Sequence, residues 1–240
     1  MATTFPNREE CIPDSQATNA ASLRGKVLMK DRAYSELKQL IQSITIEPGA
    51  RLSERQLAGH LGMSKTPVKA ALERLELEGF IIVSPQSGIV VRELTAQDIA
   101  DQFDVRVALE CHVLRSVSGR LTDEQAFDLR ENITQQRQAA RARRITEMVS
   151  LDAGFHMLYC EFHGNQEIIR VMNQLRDKIY RVTDRVYQQQ LPRLDSSCDE
   201  HAGIVEATLA GDADLAVMRM EEHLDYGRKF LLDKHRGRAS

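Results

Sequence analysis

The segment from Glu47 to Arg92, EPGARLSERQLAGHLGMSKTPVKAALERLELEGFIIVSPQSGIVVR, constrains this chain more than any other. Ser53 stands where a helix N-cap accepts backbone N–H groups, and Gln56 three residues on completes a capping box. Leu57, Ala58 and Leu61 follow at helical spacing. Gly62 can supply the positive φ of a tight turn. Ser64 is placed to cap a third helix, and Pro67 is tolerated in its first turn. Val68, Ala71, Leu72 and Leu75 form that helix's inner face, and Gly79 ends it. Ile81–Ser84 and Ile89–Arg92 read as strands around a Pro85-Gln86-Ser87-Gly88 tip. Upstream, Tyr34, Leu37, Leu40, Ile41 and Ile44 predict a helix from Asp31 to Ser43, broken at Pro48-Gly49. This order is that of a winged helix-turn-helix, a shape that places one helix in a DNA major groove.

After Arg92 the texture changes. From Thr95 to about His235 there is almost no strand signal, one proline (Pro192), and apolar residues recurring at three and four. The spacing predicts helices over Thr95–Arg120, Thr122–Arg143, Ile145–Phe162, Asn165–Gln189, Arg193–Ala210 and Asp212–Lys234. Thr122 and Asp212 are the expected caps, and Gly164 and Gly211 punctuate. The expected fold class is mainly α: an N-terminal winged helix-turn-helix and a C-terminal all-α antiparallel bundle. The expected division is a flexible tail over residues 1–24, the winged domain over 25–94 and the helical domain over 95–236.

Composition excludes several classes. No apolar run reaches the ~18 residues needed to span a bilayer, and the N-terminus lacks the apolar core of a signal peptide. Cys11, Cys111, Cys160 and Cys198 show neither CxxC spacing nor a disulfide framework, so reduced thiols in a cytoplasm are expected. The net charge of −3 does not announce a nucleic-acid binder. Its distribution leans that way: residues 1–92 carry 12 Lys+Arg against 10 Asp+Glu, and residues 93–240 carry 20 against 25. A local basic patch can attract phosphate on an acidic molecule.

Two constellations carry chemistry. On the third helix Lys65, Thr66 and Lys69 fall opposite the apolar face, and Lys65 and Lys69, four apart, point the same way. Arg55 is placed to clamp a phosphate, and Ser87 and Gly88 at the hairpin tip could approach a backbone or minor groove. Solvated lysines on a plain helical corner would look similar. In the helical region Asp152 and His156 are four apart and share a face. His201 and His223 occupy inner-looking positions of later helices. Three imidazoles and one carboxylate from three helices form a reasonable metal set. His60, His112, His163 and His235 are read as structural or solvent-facing.

The pattern PGxxLSExxLAxxLGxSxTPVxxAL, then ELEGFI, then a glycine-containing wing, resembles the DNA-binding domain of the GntR family of bacterial regulators over residues 27–94. The resemblance implies DNA contacts from Arg55, Lys65, Thr66, Lys69 and Gly88. Lys65 and Lys69 stand where the family usually has arginine, so the planar fork to guanine is lost while donation to O6 or N7 remains. The C-terminal part is similar to the family's FCD subgroup, an all-helical ligand-binding domain. Its metal-binding members carry Asp-x3-His and two separate histidines about 22 residues apart. Asp152, His156, His201 and His223 match one by one, within MVSLDAGFHMLY for the usual FVxxDxxFHxxL. LTAQDIADQFDVRVALE resembles its opening helix, with Arg106 and Glu110 in the R-x-x-L-E pattern.

What the resemblance implies is a homodimeric repressor. It would bind double-stranded operator DNA and release it on binding a small organic or sugar acid at the metal. Arg106 is the candidate cation for the acid's far end; a surface or interdomain salt bridge is the alternative for it. Zn²⁺ suits an imidazole-rich site best, with Ni²⁺, Mn²⁺ or Fe²⁺ open. A repressor that senses the ion itself is an alternative, and so is a metal with a purely structural role. A metal-dependent hydrolase is weaker, because there is no HExxH helix and no general base beside the ligands, so no enzyme is expected.

Overall fold

The computed structural model describes residues 15–42, 45–84 and 88–238. Backbone contacts divide the chain into two compact units, one of residues 1–41 and 45–92 and one of residues 42–44 and 93–240.

The first unit contains α1 (Ser15–Gln42), β1 (Arg51–Leu52), α2 (Glu54–Leu61), α3 (Lys65–Leu77), β2 (Ile81–Ser84) and β3 (Gly88–Val91). Its core takes Leu37 and Ile41 from α1, Val68 and Leu75 from α3, and Phe80 and Val91 from around the hairpin. Ser53 and Gln56 form the reciprocal capping box expected at the start of α2. Gly62 sits at φ +62° in the turn, and the Met63 N–H closes it on the Ala58 carbonyl at 3.0 Å. β1, β3 and β2 form an antiparallel sheet in that order, with Leu52 opposite Ile89 and Val83 opposite Ile89 on the other side.

Three expectations change here. α1 begins at Ser15, so residues 15–24, expected in a flexible tail, are helical. Helix extension costs little per residue once Leu37 and Ile41 have fixed the packed part, and the Ala- and Ser-containing sequence tolerates it. The rest of that expected tail, Cys11 included, lies outside the described residues, as do Pro85, Gln86 and Ser87 of the tip. Ser64 makes no side-chain cap on α3. An N-cap bonds the N–H of the second or third helical residue, and the third here is Pro67, which has none. β1 was not expected, since two residues show no periodicity.

The second unit consists of α4 (Ala96–Val117), α5 (Asp123–Arg141), α6 (Ile145–His163), α7 (Gln166–Gln189), α8 (Pro192–Leu209) and α9 (Ala213–Arg238). α4 packs most extensively on α9, α6 on α7 and α5, and α8 on α9 and α5. Leu114, Leu129, Met148, Phe155, Leu194 and Ile204 are fully buried in its core. Thr122 caps α5 with a capping box, and Asp212 accepts the Leu215 N–H at 3.0 Å. Cys111, Cys160 and Cys198 are free and buried. No helix among the described residues is long and apolar enough to cross a membrane.

The loops after α4 and after α8 meet backbone to backbone. Gly119 donates its N–H to the Thr208 carbonyl at 2.9 Å. Gly119 has φ +70° and Gly211 has φ +78°, and a Cβ on Gly119 would lie 3.1 Å from Gly211 Cα. Gly119→Ala therefore meets left-handed strain and a backbone clash together. It is expected to lower unfolding free energy by about 2 kcal/mol, read as a reduced urea midpoint at unchanged slope. A variant with the wild-type midpoint would mean the two loops can part without cost.

Candidate functional site

α3 buries Val68, Ala71, Leu72 and Leu75 and leaves Lys65, Thr66 and Lys69 exposed on the other side. Arg55, in the first turn of α2, is also exposed. A shallow cleft brings Lys65, Thr66 and Lys69 together with Glu54, Glu73 and Lys30. Lys30 comes from α1; nothing in its local sequence pointed to it, because its place depends on how α1 packs against α3. Gly88 is exposed at φ +71° and pairs with Ser84. A Cβ there would lie 3.2 Å from the Leu52 carbonyl oxygen, so the sheet itself requires glycine at this position. Ser87 lies outside the described residues.

In the helical unit, Asp152 and His156 of α6, His201 of α8 and His223 of α9 converge. One donor atom from each lies within 4.8 Å of all the others, and all four residues are buried. His201 Nε2 is 3.1 Å from His223 Nε2 and 3.7 Å from Asp152 Oδ1. Phe155 stacks on the His201 ring at 4.1 Å between centroids.

Each imidazole is held from behind. His156 Nδ1 lies 2.5 Å from Glu110 Oε2, and Arg106 Nε donates to the other Glu110 oxygen at 2.6 Å. His223 Nδ1 lies 2.7 Å from Glu200 Oε2, and Arg193 grips Glu200 through both terminal nitrogens. His201 Nδ1 lies 2.8 Å from Gln136 Oε1. Tyr187 donates its hydroxyl to Asp152 Oδ1 at 2.8 Å. Burial alone would raise the Glu110 carboxyl; Arg106 and His156 outweigh it and hold the group at about 2. The hydrogen bonds from His223 and Arg193 do the same for Glu200, also about 2. Burial, then the neighbouring His223 and His156, push His201 well below its ordinary value. Burial likewise lowers His223.

These contacts dictate the protonation pattern. Acceptor oxygens behind all three rings place the protons on Nδ1, so the Nε2 lone pairs face inward. Two such lone pairs 3.1 Å apart repel unless a cation lies between them. His156 Nε2 is buried with no hydrogen-bond partner among the described residues. An orphaned acceptor, two facing lone pairs and a carboxylate oxygen fit a divalent cation, and the donor set suits zinc.

Arg106 is 6% exposed and paired one turn along its own helix, so the surface location weighed for it does not hold. Two cavities border on it and on Asp152. One adds His156 and the apolar side chains of Met172, Leu175 and Ile179; the other adds His223, Arg193 and Ser197. Sequence reasoning brought out the four converging residues and Arg106. It missed Gln136, Glu200, Arg193 and Tyr187, and noted Glu110 only as part of a motif. Arg106 and Glu110, one turn apart on α4, and Arg193 and Glu200, two turns apart on α8, were the local signals; the remaining contacts run across helices.

Comparison with known proteins gives an independent view. The family profile "FCD domain" matches residues 101–226, and "Bacterial regulatory proteins, gntR family" matches residues 29–91. The chain is 26% identical over 196 residues to the HTH-type transcriptional repressor RspR of Escherichia coli K12, covering 82% of this chain and 86% of RspR. It is 25% identical over 198 residues to the gluconate operon transcriptional repressor of Bacillus licheniformis, covering 81% of each. Among solved structures, E. coli McbR/YncC superposes with a TM-score of 0.74 at 21% identity, over 86% of this chain and 98% of that one. At that identity the likeness concerns the fold.

Proposed function

Because the chain belongs to the gntR family of bacterial regulatory proteins and carries an FCD domain, it is a DNA-binding transcriptional regulator, and we propose that it is a homodimeric repressor released by a small organic or sugar acid bound beside a metal ion. The observation that carries this reading is the inward-facing set of Asp152, His156, His201 and His223 with Arg106 on the same cavities. Zn²⁺ matches the imidazole-rich donors; Ni²⁺, Mn²⁺ and Fe²⁺ compete on the same terms. A bound ion supplies a Lewis-acid position for a carboxylate oxygen. The chain supplies the rest. Arg106 commits Nε to Glu110 and lines both cavities, where its guanidinium would hold the acid's other end. Met172, Leu175 and Ile179 exclude water around it.

On the DNA side Lys65, Thr66 and Lys69 enter the major groove, and Arg55 and Lys30 meet phosphates. Gly88, with Ser87, lets the wing approach the backbone. Two copies would read two half-sites related by the dimer axis. The acid acts as a switch only by its preference for one arrangement of the reading heads, each tenfold of preference being worth ~1.4 kcal/mol. The gluconate operon relative motivates including sugar acids among the candidates.

The test is operator binding by fluorescence anisotropy, with organic and sugar acids added with and without chelator. Release by an acid in metal-loaded protein alone supports the reading. All four donors are buried, which favours a second reading in which the ion is itself the signal. Affinity that tracks free metal and ignores every acid would select it. Lys69→Ala is expected to weaken operator binding and to lower the salt slope by about 0.9, one counterion fewer. An unchanged slope with relaxed base preference would place Lys69 on a base edge instead.

A further inference from the structure

α5 provides none of the four converging donors, yet two of its amides reach the cluster's flank. Gln136, fully buried, faces His201 Nδ1 with its Oε1 at 2.8 Å. Its amide nitrogen donates to Asn132 Oδ1 at 2.7 Å, and Asn132 donates to the Leu151 carbonyl at 3.2 Å. A carboxamide can turn end over end with little change of shape, so an isolated glutamine could offer His201 either a donor or an acceptor. The Leu151 carbonyl can only accept. It turns the Asn132 NH2 toward itself, leaves Asn132 Oδ1 for the Gln136 NH2, and so leaves Gln136 Oε1 for His201. The direction of the whole chain is set by a backbone group that cannot be reversed.

The other two imidazoles differ. Glu110 and Glu200 are anions, each held by an arginine, and a carboxylate accepts from Nδ1–H whichever way it is turned. His201 alone relies on a neutral partner whose direction must be imposed.

We infer that Gln136, oriented by Asn132, is a positioning residue for the metal ion. It fixes His201 in the Nδ1-protonated form and ties that ring to the backbone immediately before Asp152. The inference rests on the metal reading above and adds to it the source of the His201 geometry.

Gln136→Met keeps length and volume but removes the acceptor; Gln136→Glu keeps the acceptor. Zn²⁺ is titrated into chelator-stripped, full-length protein against a chromophoric competitor. The Met variant is expected to bind roughly ten- to a hundredfold more weakly, while the Glu variant binds at least as tightly as wild type. Imidazole ¹⁵N shifts of the metal-free protein read the tautomer directly. His201 is Nδ1-protonated in wild type and the Glu variant, and mixed or Nε2-protonated in the Met variant. Should the Met variant not fold, Asn132→Leu frees the Gln136 amide to turn and gives the same pattern. Unchanged affinity and tautomer in the Met variant overturns the inference. So does a Glu variant as weak as the Met one, which reduces Gln136 to packing. If wild type binds no Zn²⁺ the metal reading fails by itself, and the ¹⁵N shifts still decide whether Gln136 sets the tautomer.

Discussion

Stripping zinc-loaded protein with a strong chelator is expected to lower its unfolding temperature by roughly 10 °C. An ion present at about a thousand times its dissociation constant stabilises the folded state by about 4 kcal/mol. For a chain of this size each kcal/mol moves the midpoint by roughly 2–4 °C. All three imidazoles are already held from behind with Nε2 facing inward, so little ordering remains to be done when the ion arrives. The chain with His201→Ala and His223→Ala is expected to show no difference between zinc and chelator, while its winged unit still binds DNA. The stripped wild type is also expected to be acid-sensitive. His201 is neutral in the fold and titrates below its ordinary 6.5, so the unfolded chain binds more protons there. That contribution is fully present above pH 6.5 and is lost as pH falls below it. A wild-type protein whose melting ignores both zinc and chelator would remove the metal reading altogether.

Arg106→Met is expected to cost about 3 kcal/mol of stability at pH 7 in the metal-free protein. Arg106 and Glu110 are both nearly inaccessible to solvent, and the substitution leaves the carboxylate with His156 as its remaining partner. Adding Glu110→Gln to Arg106→Met removes the stranded anion and is expected to recover most of the loss, which a double-mutant cycle in urea would measure. The pH dependence has a defined sign. Glu110 in the fold titrates near 2, below its ordinary 4.5, so its contribution is complete above 4.5 and disappears as pH falls toward 2. Wild type and Arg106→Met should therefore converge in stability as pH falls through that window. A constant gap down to pH 3 would show that Arg106 acts through its bulk, with its guanidinium carbon 5.7 Å from the centre of the Phe103 ring, rather than through its ion pair.

Much of the winged unit is legible in its sequence because its signals are local. The Ser53–Gln56 box, the glycine of the turn and the apolar face of α3 each declare themselves within eight residues or fewer. Ser64 misleads for an equally local reason, Pro67. β1 carries too few residues to speak, and α1 extends past the point where apolar spacing stops. In the helical unit, one pair of donors is readable from its one-turn spacing, Asp152 with His156. Most of the shell behind them is not. Gln136 and His201 are 65 positions apart, and Tyr187 and Asp152 are 35 apart. No periodicity records which buried polar groups will meet when helices so distant in the chain pack together.

The Gly119–Gly211 contact has a mechanical consequence. With no side chains between them, the loops closing the C-terminal end of α4 and leading into α9 are locked at the backbone. Any tilt of α4 against α9 must then behave like a pair of scissors, with its pivot at that joint and its widest travel at the opposite tips. About midway out along the two helices Phe103 lies against Gly227 and Arg106 borders both cavities, and from the far tip of α4 the chain leads back to the winged unit.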